Sequence, residues 1–411
     1  MNSQRCLRQS FWYSLPLVLL VALLTTPVMA LNEGRTIEEP GAAQPHADPA
    51  LQTFVVGDGT PASCTKDAIQ YELWAALAVG GGRVFFNCGP DPVTIPIDSG
   101  SSGQPLTFFD NTTIDGGGRI TLQAQLENQP SLAVNRDATV LMKNLTVVRS
   151  HTLTPGVDNK GNLTVWGCAF SHFAGPAILS QGSLTIIQST FSDNSSALGL
   201  SSVIIQSGTG SVRRSTFSNN SIPDSGAAIT NRGTLDIASS RFIHNGAEEG
   251  GAIVNRGVLT IDNSEFTGNS AAGTGAVLNE GSLTVTNTTF AGNTAHNPEG
   301  GAIFSNSTLL VRNCDFLNNG SPNGGALVVS GQVTVLDSTF SGNLAGRGGA
   351  IYTTAAQLII RRSTFVTNTA GDGGGIFVAA GSLVQENNTF IANIPNDIGP
   401  AGASTSIAGP R

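Results

Sequence analysis

Charge is scarce in this sequence. Only 12% of its 411 residues are Asp, Glu, Lys or Arg, about half the share of an ordinary globular chain. Positive charge is scarcer still, with 20 basic residues against 28 acidic ones. A surface of that sign repels nucleic acid and anionic membranes, which excludes both as partners. Cysteine is sparse at five residues, and Trp and Tyr number three each. The longest apolar run, Leu15 to Leu24, is too short to cross a bilayer as a helix, and no later stretch competes with it.

That run does have a reading. Arg5 and Arg8 precede it, no acid accompanies them, and Val28-Met29-Ala30 follows. This is the pattern of a secretory signal peptide cut after Ala30, predicting a secreted protein, extracellular or on the outer cell surface. Cys6 lies before the apolar run, so it is not a lipoprotein cysteine. Once Arg5 and Arg8 leave with the signal, the 20 basic residues fall to 18 against 28 acids, a net charge near −10. Residues 31–52, rich in Glu, Gly, Pro and Ala without periodicity, read as a flexible leader.

What the chain has in abundance is Gly, at 50 residues, and Phe, at 19. The phenylalanines are ordered. Phe-x-x-Asn recurs at Phe191/Asn194, Phe217/Asn220, Phe242/Asn245, Phe266/Asn269, Phe290/Asn293, Phe316/Asn319, Phe340/Asn343, Phe365/Asn368 and Phe390/Asn393, every 24 to 26 residues. Phe170 starts a further copy, with Phe173 in the Asn position. A fixed period in the twenties means a solenoid. A Gly-Gly-Ala-Ile-like step sits about ten residues after each Phe, as at Gly250 to Ile253 and Gly348 to Ile351. Apolar residues seven and five positions before each Phe, such as Leu259/Ile261 and Leu283/Val285, alternate with the period of a strand. Short strands separated by Gly and Asn turns leave no room for a helix in the repeat. The fold class is therefore all-β, a single-stranded right-handed parallel β-helix over residues 53–395, with irregular turns over 84–165, regular ones over 166–393 and a flexible tail over 396–411.

Stacked turns place like residues on like residues ~4.8 Å apart. The Phe column should form an aromatic core stack and the Asn column an amide ladder, with a shorter second ladder at Asn231, Asn255 and Asn279. One helix precedes the coil, residues 65–79. Ile69, Leu73 and Leu77 form its apolar stripe, Asp67 sits at its positive end, and Gly80-Gly81-Gly82 ends it. It is the natural cover for the first open edge.

The paired motifs Phe-x-x-Asn and Gly-Gly-Ala-Ile, from Phe191 to Asn393, resemble the repeats of chlamydial polymorphic outer membrane proteins. That resemblance implies adhesion at a bacterial surface. Residues 64–122, with Cys64, Gly81-Gly82-Arg83-Val84-Phe85-Phe86-Asn87-Cys88 and Thr113-Ile114-Asp115-Gly116-Gly117-Gly118, resemble the N-terminal part of secreted bacterial β-helix proteins of the pectin-lyase-like class, which implies the fold and export.

Few residues suggest chemistry. Cys64 and Cys88 flank the helix and the first strand, where a disulfide would tie cap to coil and contribute roughly 3–4 kcal/mol. Cys168 and Cys314 share one column six turns apart, ~29 Å, too far to bond. His46, His151, His172, His244 and His296 share no column and show no metal-ligand spacing. The sequence calls for no cofactor and no metal. Carboxylates are spread over two outward columns: Arg241, Glu265 and Asp315 interspersed with Thr just before each Phe, and Asp224, Glu249, Thr274, Glu299, Asn323 and Arg347 before the Gly pairs. Arg232, Arg256 and Glu280 stack beside the shorter Asn ladder. The best enzymatic candidate is Asp115, with Asp110 and Asp137 nearby in sequence. The preferred expectation is a non-catalytic, adhesin-like protein that binds glycan or protein along its face. The rivals are a pectin-lyase-like polysaccharide lyase or glycoside hydrolase, and a passive structural rod.

Overall fold

A computed structural model describes residues 52–99, 103–149, 153–195, 202–355, 357–400 and 405–407. The segments expected to be signal peptide and, apart from Gln52, leader lie outside them. From strand Thr53–Val56 onward the chain winds as a parallel β-helix with three sheets, of 26, 13 and 6 strands among the described residues.

One turn shows how the sequence makes the coil. Strand Val258–Asp262 points Leu259 and Ile261 inward and the residues between them outward. Asn263 then adopts a left-handed backbone, φ 45°. It bends the chain so that Ser264 and Phe266 also face the core, on either side of outward Glu265. Gly268 is the second left-handed residue, φ 62°, and it turns Asn269 into the interior. After Ser270–Ala271 in the third sheet, strand Val277–Asn279 closes the turn in the second. Gly281 follows, and only glycine fits there, because a Cβ would lie 2.1 Å from the Gly257 carbonyl oxygen of the turn before. These two left-handed bends recur in the regular turns, most of which add a third at the first glycine of the Gly-Gly step, as at Gly250, Gly300 and Gly324; the bend directly before Asn explains the Phe-x-x-Asn spacing.

Glycine and asparagine accept this conformation at little cost, but a β-branched residue does not. Thr367, φ 52°, occupies the column held elsewhere by Asn219, Gly268, Gly292, Asn318 and Gly342. Replacing it by Asn should stabilise the protein by about 0.5–1 kcal/mol, read as a higher chemical-denaturation midpoint. An unchanged or lower midpoint would show that Thr367 carries no strain.

The register is in phase from turn to turn, with Phe242 beside Phe266 and Phe266 beside Phe290. Ten rings from Phe170 to Phe390 stack with centroids 4.6–5.1 Å apart and planes within 13°. The Asn column runs beside them, buried. The side-chain amide of Asn245 donates to Asn269 Oδ1 at 2.9 Å and to the Phe217 carbonyl of the previous turn at 3.0 Å. A third file lies two residues before each Phe, where Ser189 N–H donates to the Ser215 hydroxyl and Ser215 N–H to that of Ser240. Cys168 and Cys314 belong to this file as free, buried thiols. Burial pushes Cys168 up to about 12 and Cys314 to about 11, so neither supplies a thiolate at neutral pH.

The shorter ladder is longer than the sequence suggests, because Asn159 and Ser180 precede it and Ser305 follows it. It is interrupted at Gln206, whose amide N and O are buried without a partner. The cause lies four residues on. Gly210 stands in register with Leu184 and Leu235, and the Gln206 side chain turns into the space a leucine would fill, 3.2 Å from where a Cβ would lie.

The cap helix spans Lys66–Ala78, with the Thr65 hydroxyl accepting from Ala68 N–H as its N-cap. Its buried residues are Lys66, Ile69, Gln70, Leu73 and Ala76. Leu77, expected in the apolar stripe, is 40% exposed. At 100° per residue Ala76 falls back under Ile69, whereas the i, i+4, i+8 series drifts off the face. Cys64 and Cys88 are disulfide-bonded in the structure, with Cα atoms 5.7 Å apart. At the other end, the ladder passes the boundary expected at residue 395: Ile398–Gly399 pairs with Ile376–Phe377, and Thr405–Ile407 with Leu383–Gln385.

Candidate functional site

The early turns hold an enclosed polar site. Strand Gly82–Phe86 lies beside strand Thr112–Ala124, with Phe85 next to Asp115. Strands Thr139–Arg149 and Asn162–Trp166 continue the same outward file with Lys143 and Trp166. After Asp115 the register slips, and Gly116 to Arg119 bulge from the sheet before pairing resumes at Ile120. Gly116 is obligatory there, since a Cβ would meet Leu145 Cδ2 at 2.5 Å and the Asn144 carbonyl oxygen at 2.7 Å. Bulges of this kind re-aim side chains and collect at functional sites.

Asp115 organises the bulge. Its Oδ1 accepts from Gly117 N–H and from Asn144 Nδ2, both at 3.0 Å, and its Oδ2 pairs with Lys143 Nζ at 3.6 Å. The Lys143 ammonium in turn lies 5.2 Å from the centre of the Trp166 ring, and Trp166 Nε1 donates to Gln188 Oε1 at 2.8 Å. On the other side, Arg119 Nη1 donates to the Pro90 carbonyl at 3.3 Å. Between the bulge and the segment after Cys88 is a groove of about 220 Å³ lined by Phe85, Phe86, Asp91, Asp115, Arg119 and Ile120. The Cys64–Cys88 bond anchors the start of its outer wall.

Asp110 and Asp137 are not part of it. Asp110 accepts from Asn111 N–H beside Gly80, below the groove strand, and Asp137 sits in the exposed turn Asn135–Asp137. Asp91, Arg119, Lys143 and Trp166 were not singled out by sequence reasoning. Their signal was the alignment of irregular strands, which a bulge of four residues obscures.

Elsewhere the outward charges neutralise one another between turns: Arg213 with Asp236 at 2.9 Å, Arg241 with Glu265 at 2.9 Å, Arg361 with Glu386 at 3.2 Å and Arg362 with Asp337 at 2.6 Å. The acids expected to be dispersed do gather at one place, because two columns meet. Arg256 pairs with Glu280 at 2.7 Å and lies 3.9 Å from Glu249. Burial, followed by the charges of Glu249 and Glu280, pushes the Glu299 carboxyl above its ordinary range. Thr274, in that turn column, is buried rather than outward.

Solved structures that superpose on the chain include the A-module of mannuronan C-5 epimerase AlgE4 of Azotobacter vinelandii, 14% identical over 86% of this chain and 97% of that one, TM-score 0.46. The surface adhesin PfbA of Streptococcus pneumoniae is 12% identical over 87% and 100%, TM-score 0.45. The catalytic unit of an α-1,3-glucanase of Streptomyces thermodiastaticus is 14% identical over 90% and 69%, TM-score 0.34. At these identities and scores the likeness carries no functional weight. No curated protein matches the sequence. The sequence model described as the right-handed beta helix region matches residues 130–290 and 225–394. With that match extending from residue 130 to residue 394, and the stacked parallel turns seen over the same stretch, the chain belongs to the right-handed β-helix family.

Proposed function

We propose that this protein is an extracellular, adhesin-like binder of glycan that holds its ligand in the groove beside Asp115 and does not cleave it. The groove itself carries the reading. Phe85 and Phe86 offer apolar ring surface, Asp91 and Asp115 offer acceptors, and Arg119 offers donors, all around a volume of about 220 Å³. Saccharides are bound by that combination, with ring faces against aromatic side chains and hydroxyls against carboxylates and guanidinium. The volume is below the ~300–1,000 Å³ of pockets that enclose a whole small molecule. It suits one ring of a longer chain lying across the sheet.

Asp115 is occupied by Lys143, Asn144 and Gly117, which makes it an orienting acceptor rather than a mobile acid or base. The resemblance of the Phe-x-x-Asn and Gly-Gly-Ala-Ile motifs to the repeats of chlamydial polymorphic outer membrane proteins supports the same reading. A glycan array should show binding by the mature wild-type chain, weakened at least tenfold in Arg119→Ala. Binding unchanged in that variant would move the site elsewhere on the solenoid, and no binding to any glycan would favour a passive rod.

A further inference from the structure

On the outer face of the regular turns, a trough of about 440 Å³ runs along the coil axis. One wall is built from left-handed bends, Ser239, Asn263 and Asn287, with φ of 45–50°. The other is the outward residue before each Phe, with Arg241 beside Glu265 and Glu265 beside Thr289 in the ladder. Buried Ser240 and Ser264 close the floor. Each wall takes one residue from each of three successive turns, which fixes the direction of the trough.

Its polar groups are open. Asn263 Nδ2 donates to Ser239 Oγ at 3.1 Å, whereas Asn287 Nδ2 turns to Asp262 Oδ1 at 2.7 Å. The amide file is therefore broken between Asn263 and Asn287, and Asn263 Oδ1 has no donor among the described residues. Across the trough, Arg241 Nε donates to Glu265 Oε2 at 2.9 Å, and Thr267 Oγ1 donates to Glu265 Oε1 at 2.8 Å. The bond from Arg241 holds the Glu265 carboxyl below the usual carboxylate range, so the pair stays ionised, fixed and electrically balanced. Arg241 Nη1 and Nη2 have no partner among the described residues.

The trough is in line with the groove beside Asp115. From Asp115 one outward file passes through Lys143, Trp166, Ile187 and Arg213 to Ala238, Asp262 and Thr286, the residues just before the three bends. The two concavities are thus five to seven turns apart along one edge, roughly 24–34 Å at the ladder spacing.

We propose that the trough is a second subsite for the glycan held beside Asp115, and that the ligand is a linear polysaccharide lying lengthwise along this edge. The proposal rests on the reading that the Asp115 groove binds glycan. Open amide, hydroxyl and guanidinium groups on two facing walls suit the hydroxyls on the two edges of a sugar chain. A pyranose unit advances by nearly one turn of the coil, so successive sugars meet equivalent positions. An extended peptide fits less well, because it docks on unpaired backbone, and the strands beside the trough are paired on either side.

The test is calorimetric binding of the mature full-length chain to size-fractionated alginate, polygalacturonate and chondroitin oligomers, short ones of about four units and long ones of about twelve. A chain that covers both sites makes the second contact intramolecular, so for at least one polysaccharide the long oligomer should bind about a hundredfold tighter than the short one. Arg241 is exposed, and its removal leaves the core intact. In Arg241→Ala the ratio should fall toward the roughly tenfold that a longer chain gains from its extra registers alone. A wild-type ratio no greater than that statistical gain, or a ratio unchanged in Arg241→Ala, overturns the proposal and leaves the Asp115 groove a glycan site of its own. No binding of any oligomer at either length overturns both.

Discussion

Replacing Phe290 by Ala should cost ~3–5 kcal/mol, the range for large aromatic deletions in a closed core. Phe290 is fully buried and lies between Phe266 and Phe316, with ring centroids 4.8 and 5.1 Å away. Its removal deletes two stacking contacts, each of them worth ~0.5–1.5 kcal/mol beyond area burial. The cavity cannot collapse easily, because the spacing of the flanking rings is set by the backbone ladder rather than by the rings themselves. The same change at Phe390, the last ring and only partly buried, should cost about half as much. Equal losses at both positions, or none at Phe290, would show that the column is not what holds the turns together.

Asn269→Asp should cost at least ~3 kcal/mol although it changes one atom. The Asn269 amide nitrogen donates to the Phe242 carbonyl at 2.9 Å and to Asn293 Oδ1 at 3.0 Å. Its oxygen accepts from Asn245 N–H at 3.0 Å and Asn245 Nδ2 at 2.9 Å. An aspartate keeps the acceptor and sets an oxygen against two oxygens where the donors were. Burial among acceptors raises the folded-state pKa of that new carboxyl above its unfolded value of ~3.9. The sign follows: the stability that the protonated form retains is present below about pH 4 and is lost as pH rises through the raised folded value. Asn269→Ala should lose stability too, but without that pH dependence. Denaturant titrations at acid and neutral pH measure both, and a loss for Asn269→Asp that is independent of pH would mean the ladder is open to water.

The repeat was legible because a solenoid converts sequence period directly into spatial neighbours. The Phe and Asn columns, the pairing of like with like and the six-turn separation of Cys168 and Cys314 all follow from counting. What failed to show was whatever depends on departures from the period. The ladder break at Gln206 needs Gly210 beside it in space, four residues on. The Glu249, Glu280 and Glu299 cluster forms from two columns that are separate in the sequence pattern and adjacent in the coil. The groove is the largest omission. Phe85, Asp115, Lys143 and Trp166 share one file, yet the irregular early turns and the Gly116 to Arg119 bulge hide their register. Asp115 was visible for its glycines, while its partners Lys143 and Asn144 lie on the next turn. Leu77 misled for a simpler reason: an i, i+8 pair is not on one face of a straight helix, whereas Ile69 and Ala76 are.

On the proposed reading, the groove beside Asp115 binds glycan and leaves it whole. The most direct test incubates the purified mature chain with pectin, alginate, polygalacturonate and chondroitin in the presence of Ca²⁺, and follows both retention of the polysaccharide and the release of new chain ends. Cleavage needs ionisable groups free to move protons within a few ångströms of one bond, and the carboxylate best placed for it is held by Lys143, Asn144 and the bulge backbone. The expected result is retention of at least one polysaccharide with no new ends. Turnover that disappears in Asp115→Ala would contradict it and make the groove an active site.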